Sequence, residues 1–215
     1  YNGDALQSYM GRVNYSFKDK YFLTGSYRYD GSSRLTDQYA GFPSLALAWR
    51  LSNESFLQDS EVINDLKIRA SYGETGNQAV PSYSSLSRVN VGNAYYFDGT
   101  TPSVTTPLGA PAPQNLKWEV AKTTNIGVDA SFLNGKLTAT AEWYNKDITD
   151  LLYAQQAPFY VGGQYFLSNL GAINNTGFEF SLGYTPVDTG KFKWESNFNI
   201  SFNKNKVEDL GNWEM

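Results

Sequence analysis

The amino-acid sequence predicts an all-β chain: a segment of an antiparallel transmembrane β-barrel with about eight strands. Three observations carry that prediction. Apolar and polar residues alternate with period two along eight stretches. The connections between these stretches alternate between short and long. Aromatic rings gather at both ends of the apolar faces, with aliphatic residues between them.

The first stretch sets Tyr9, Gly11, Val13, Tyr15 and Phe17 against Ser8, Met10, Arg12, Asn14 and Ser16, so one face is apolar. Lys18-Asp19-Lys20 turns the chain, and Tyr21, Leu23, Gly25, Tyr27 and Tyr29 form the second apolar row. A polar loop over 31–41 precedes a third strand carrying Leu45, Leu47, Trp49 and Leu51. The connection 53–64 has room for a helical turn, and Leu66, Ile68, Ala70 and Tyr72 follow it. A long polar region over 74–114 holds Pro81, Pro102, Pro107, Pro111 and Pro113 with many Ser, Thr and Gly. Loops of that length are usually functional or disordered.

The fifth strand carries Ile126, Val128, Ala130 and Phe132, and Asn134-Gly135 predicts a type I′ hairpin turn into Leu137, Ala139, Ala141 and Trp143. A second long region over 150–175 leads to Phe178, Phe180, Leu182 and Tyr184. A turn over 186–191 leads to Phe192, Trp194, Phe198, Ile200 and Phe202.

In a meander, successive connections fall at opposite ends. The tight turns therefore share one end, and the connections over 31–41, 74–114 and 150–175 share the other; only the medium connection 53–64, at the tight-turn end, blurs the rule. Short periplasmic turns and long external loops characterise outer-membrane barrels. Phe17, Tyr21, Phe132, Tyr184 and Phe192 lie beside the turns, and Tyr9, Tyr27, Tyr72, Trp143 and Phe178 towards the loops. Two girdles of rings around an aliphatic band suit a bilayer. A soluble β-sandwich with an aromatic core has the same alternation and stays open as an alternative.

Composition removes other classes. The chain has 215 residues, of which 41% are hydrophobic, 18% charged and 16% aromatic, with a net charge of −4. A nucleic-acid binder needs a basic surface, so none is expected. The chain has no Cys and no His. Thiol nucleophiles, thiolate metal sites and the commonest general base are excluded, and no enzyme activity, metal or cofactor is expected. No apolar run of about 18 residues is present, so no transmembrane helix is predicted. The chain opens on Tyr1-Asn2-Gly3-Asp4 without a signal peptide, so a fragment of a longer exported protein is expected.

Several segments resemble the SusC/RagA-type TonB-dependent transporters of Bacteroidetes. They include Ser8-Tyr9-Met10-Gly11-Arg12-Val13-Asn14-Tyr15 and Arg28-Tyr29-Asp30-Gly31-Ser32-Ser33-Arg34, then Gly41-Phe42-Pro43-Ser44. The most specific is Asn64-Asp65-Leu66-Lys67-Ile68-Arg69-Ala70-Ser71-Tyr72-Gly73 with Thr75-Gly76-Asn77-Gln78 after it. Leu116-Lys117-Trp118-Glu119, Thr124-Asn125-Ile126-Gly127 and Asn175-Thr176-Gly177-Phe178-Glu179 keep the family order. The resemblance implies a barrel of roughly 22 strands, the size of plugged transporters. It implies active import of oligosaccharides or peptides across the bacterial outer membrane, energy through the TonB complex, and a SusD-like surface lipoprotein as partner. It also implies that residues 1–215 belong to the barrel domain, with the plug and the remaining strands outside this stretch. A small self-contained barrel for anchoring or adhesion, and a soluble carbohydrate-binding sandwich, are the alternative functions.

Two groups of residues are candidates for sites. Arg12, Arg28, Arg50, Lys67, Arg69, Glu142 and Glu179 lie on the polar faces and are expected to line the lumen. They suit either an electropositive sector that guides substrate or grips the plug, or simple cross-strand ion pairs. Tyr83, Tyr95, Tyr96, Phe97, Tyr153, Phe159, Tyr160, Tyr165 and Phe166 lie in the long loops. Their rings suit sugars, peptides or a partner protein, or pack within the loops themselves.

Overall fold

The computed structural model describes residues 3–86, 93–96, 99–100, 102–105, 113, 115–159 and 164–211. Its main element is one antiparallel sheet of eight strands, β1 (Leu6–Phe17), β2 (Tyr21–Ser32), β3 (Tyr39–Arg50), β4 (Ile63–Asn77), β7 (Glu119–Phe132), β8 (Leu137–Thr149), β11 (Ala172–Asp188) and β12 (Lys193–Asp209). Each pairs with the next in that order, and the sheet is open, with β1 and β12 at its edges. The two long loops each carry a hairpin, β5 (Asn93–Tyr96) with β6 (Pro102–Thr105), and β9 (Leu152–Gln156) with β10 (Tyr165–Asn169).

The register carries the apolar alternation across the whole sheet. One row runs Phe17, Tyr21, Trp49, Ile68, Val128, Ala141, Phe180, Ile200. It begins beside a tight turn on β1 and ends in the middle of β12, the stagger expected of tilted barrel strands. These side chains are not buried. Val13 is 68% exposed, Leu47 50%, Ile126 49% and Phe202 60%. A soluble sandwich would cover this face with a second sheet, and no described residue does so. The buried apolar side chains among the described residues are Leu35, Phe42, Val80, Leu116, Trp118 and Ala157, all outside the apolar rows.

The turns differ from the sequence reading in instructive ways. Asn134 (φ 58°) and Gly135 (φ 81°) take the positive angles a type I′ turn needs, but Leu133 (φ 55°) joins them. Its N–H donates to Val62 O at 3.1 Å, which holds this bulky residue in a conformation it rarely adopts. The last turn is shorter than expected, over 189–192, because β11 continues through Pro186. A register shift between Tyr184 and Val187 accommodates the proline, which has no N–H for the ladder. The helical turn lies at Leu51–Asn53, earlier than expected, and takes Leu51 out of the third strand, which ends at Arg50.

The strands outrun their apolar patterns at the loop end. β4 reaches Asn77, β11 starts at Ala172 and β12 extends to Asp209. The apolar face therefore acquires Glu74, Lys122, Asp147, Lys204 and Lys206 beyond the rings. Apolar alternation covers only part of each of these strands, and the hydrogen-bonded ladder continues past it.

The short-turn end is tied together by polar contacts. Lys20 Nζ donates to Glu54 at 2.8 Å, Tyr21 Oη to the same carboxylate at 2.8 Å and Trp49 Nε1 at 3.1 Å. Led by Lys20, these donors hold the Glu54 carboxyl down at about 2, against an ordinary 4.5. The stabilisation is complete above 4.5 and is lost as pH falls towards the folded value. Unfolding midpoints of the full-length barrel should therefore separate wild type from Glu54→Gln above that range and converge below it.

Sidedness follows from the alternation of connections. Phe159, 87% exposed in the β8–β11 loop, and Lys136, in the β7–β8 turn, lie at opposite ends. An impermeant maleimide on intact cells should label Phe159→Cys and not Lys136→Cys. The reverse pattern would invert the topology.

Candidate functional site: the polar face and the loop rim

The polar face carries ion pairs that cross strands. Arg50 Nε lies 3.3 Å from Asp65, Lys67 Nζ 3.2 Å from Asp129, and Arg69 Nε 3.3 Å from Asp129. Arg69 Nη2 also donates to Glu142, two strands away. Gly127 on β7 opens that path, since a Cβ there would sit 2.8 Å from the Arg69 guanidinium carbon. Thr140 Oγ1 donates to Asp129 at 3.3 Å and Ser52 Oγ to Asp65 at 2.8 Å. The basic side chains of β3 and β4 are thus held on the carboxylates of β4, β7 and β8. Half-exposed pairs of this kind contribute about 1 kcal/mol or less each. Their geometry fits cross-strand pairing better than a free electropositive sector.

The remaining polar-face candidates divide. Arg28 Nε pairs with the buried Asp30 at 2.8 Å on its own strand. Arg12 lies on the edge strand, exposed. Glu179 stands directly opposite Glu142 in register, placing two carboxylates side by side with Arg69 reaching only the nearer. An open hollow of about 380 Å³ lies above Phe22, Ala46, Ala48, Arg50, Lys67 and Arg69. The Arg50 guanidinium sits 5.7 Å from the Phe22 ring centre. Replacing Gly127 with Val should displace Arg69 and leave Glu142, beside Glu179, without its cation. The expected loss is about 1 kcal/mol in barrel stability, and Glu142→Gln in the same background should restore part of it.

The loop rim has the only cluster of buried apolar side chains among the described residues. Leu35, Phe42, Val80, Leu116 and Trp118 pack together, with Ala40, Val120, Leu152 and Leu167 against them. Phe42 meets Trp118 edge-on at 5.6 Å and lies over Gly76, where any Cβ would strike the ring. It occupies the place where β3 and β4 part, since their pairing begins only at Ser44 and Gly73. Trp118 Nε1 donates to Gln38 O at 3.0 Å, and Leu116 O accepts from the N–H groups of Thr36 and Asp37. Asn169 clamps the next loop: its amide exchanges two 2.8 Å hydrogen bonds with the Lys117 backbone and donates to Asp150 O. Arg34 pairs with Asp4 at 2.8 Å and donates to Val80 O. Sequence reasoning named these stretches for their resemblance and missed their packing role. The available signal is Leu116 and Trp118, two large apolar residues set between polar neighbours just before β7.

The loop aromatics whose side chains are described, Tyr83, Tyr153, Phe159, Tyr165 and Phe166, lie apart along the two loops. Tyr83 has φ 65° and accepts a 3.3 Å hydrogen bond from Gly3 N. Tyr153 and Tyr165 are exposed on β9 and β10, Phe166 is half-buried on β10, and Phe159 projects freely. Tyr95 and Tyr96 lie on β5, where only the backbone is described, and Phe97 and Tyr160 lie outside the described residues.

Residues 1–213 match the family of TonB dependent receptor-like β-barrels. The chain belongs to that family. TonB-dependent receptor P26 of Formosa agariphila is 41% identical over 213 residues, covering 98% of this chain and 21% of that protein. TonB-dependent receptor SusC of Bacteroides thetaiotaomicron is 38% identical over 216 residues, covering 96% and 21%. The chain thus spans about a fifth of the length of these relatives. Among solved structures, the RagAB peptide transporter superposes with a TM-score of 0.85 at 28% identity, over 96% of this chain and 23% of that one. The FrpB iron transporter of Neisseria meningitidis, at 18% identity and a TM-score of 0.60, shares the fold. TonB-dependent receptors are outer-membrane barrels and a family of transporters, not enzymes. The exposed apolar rows accordingly lie on a barrel wall, and the soluble-sandwich alternative falls.

Proposed function

We propose that this chain forms part of the barrel wall of a SusC-like transporter that imports oligosaccharides or peptides across the outer membrane. Energy comes through TonB, acting on a plug domain outside residues 1–215, and a SusD-like surface lipoprotein caps the loop rim. The observation that carries this reading is the 38% identity to SusC along 96% of the chain. The superposition on the RagAB peptide transporter supports the peptide branch. In this reading Arg12, Arg28, Arg50, Lys67, Arg69, Glu142 and Glu179 line the lumen. Arg50, Lys67, Arg69 and Glu142 brace strands there, while Arg12 and Glu179 keep charge available to the lumen. The exposed Tyr153, Phe159 and Tyr165 offer rings to substrate or partner.

Deleting the gene should abolish growth on one glycan or peptide source, and disabling TonB coupling should have the same effect. Purified protein that hydrolysed the nutrient without other enzymes would overturn the importer reading.

A further inference from the structure

An irregularity near the start of β4 puts one side chain to a use that the strand ladder does not explain. Ile63 pairs with Phe132 and Asp65 with Ser131, so Asn64 between them has no partner in the register. A bulge of this kind re-aims a side chain. Here the Asn64 amide reaches the β7–β8 turn. Its Oδ1 accepts from the N–H of Asn134 at 2.6 Å and from the N–H of Gly135 at 3.4 Å. Its Nδ2 donates to Asn134 Oδ1 at 3.3 Å.

The turn that Asn64 holds carries a chemical conflict. Its geometry selects Asn-Gly, because both residues must take positive φ. The same dipeptide is prone to close on itself. Gly135 has no Cβ to shield its nitrogen, so that nitrogen can attack Asn134 Cγ. The N–Cγ bond forms as the Cγ–Nδ2 bond breaks. The Gly135 amide proton leaves with Nδ2 as ammonia, and a cyclic imide results. Water then opens the imide at either carbonyl, giving aspartate or isoaspartate at position 134.

We propose that Asn134 is a latent deamidation site and that Asn64 keeps it closed. The reaction needs the Gly135 N–H to give up its proton and the Asn134 carboxamide to swing onto that nitrogen. Asn64 opposes both steps. Its Oδ1 holds the proton on the Gly135 nitrogen, and its Nδ2 holds the Asn134 carboxamide by the oxygen. Asn134 and Gly135 are exposed, so burial gives them no protection. Isoaspartate adds one carbon to the backbone, which shifts the turn N–H groups away from Asn64 and keeps the clamp from re-forming. The inference concerns the chemistry of this turn and does not depend on which nutrient the transporter carries.

The test ages the full-length transporter in detergent and mildly alkaline buffer. Mass spectrometry of the peptide spanning the β7–β8 turn reads the mass gain at Asn134, and enzymatic methyl transfer detects isoaspartate. Asn64→Ala should deamidate roughly tenfold faster than wild type, the scale of one or two net hydrogen bonds. Asn64→Asp keeps acceptor oxygens for both N–H groups and should stay close to wild type. The same peptide excised by proteolysis before ageing, which has no Asn64 beside it, should react at least as fast as Asn64→Ala. Equal rates in wild type and Asn64→Ala would overturn the proposal, and so would a folded wild type as reactive as the excised peptide. Asn64→Asp reacting as fast as Asn64→Ala would show that the N–H groups are not what Asn64 guards, and would overturn it too. Should Asn64→Ala not fold, hydrogen exchange at the Gly135 amide of wild type decides. Exchange slower than in the excised peptide is expected, and exchange at the peptide rate would mean that no clamp exists.

Discussion

Val13→Arg should prevent the barrel from assembling, while Asn14→Arg on the adjacent residue leaves it intact. The two side chains leave β1 in opposite directions. Val13 pairs in register with Gly25 and lies in a row with Leu45, inside the aliphatic band, and is 68% exposed. An arginine there meets hydrocarbon near the midplane, at a cost of roughly 2–4 kcal/mol. Asn14 accepts a 3.0 Å hydrogen bond from Thr24 Oγ1 on the polar face, where water solvates a guanidinium. Heat-modifiable migration on gels reports folded barrel for each variant. Equal damage from both would remove the distinction between the two faces.

Phe42→Ala is the second change with a large expected effect, and it acts at the opposite kind of surface. Phe42 is 5% exposed, stacked edge-on against Trp118 and seated over Gly76. Removing the ring opens a cavity in the one apolar cluster of the rim, with an expected cost of roughly 3–5 kcal/mol. The strands below pair through their own ladders, so the barrel should survive. The loss should appear as faster proteolysis of the loop over 78–118, whose far end is held by Leu116 and Trp118. Proteolysis unchanged in Phe42→Ala would mean that this cluster does not anchor the loop.

The contrast between these two sites explains what the sequence could reveal. Strand existence and order were legible because Tyr9 to Phe17 or Leu137 to Trp143 alternate strictly, and lipid contact demands that alternation. Strand ends were not legible at the loop side. Beyond Phe202 the outward positions turn to Lys204 and Lys206, so the pattern fades while the hydrogen-bonded ladder continues to Asp209. Pro186 reads as part of a turn, since prolines usually interrupt strands, yet the bulge after Tyr184 keeps it within β11. The polar-face residues could be placed on their face by period alone. Their partners could not, because Arg69 reaches Glu142 across Gly127 only in the observed register. The rim cluster joins Leu35 to Leu116 through contacts between distant loops, which no local pattern encodes.

The central claim is that the apolar rows face lipid and the alternate rows do not. Nitroxide labels placed one at a time at residues 12–15 of the full-length protein in bilayers test it most directly. Relaxation by dissolved oxygen, which concentrates in hydrocarbon, should be strong at Val13 and Tyr15 and weak at Arg12 and Asn14. A water-soluble paramagnetic reagent should give the opposite phase. Oxygen access without a period of two along these four residues, or with its maxima at Arg12 and Asn14, would contradict the account.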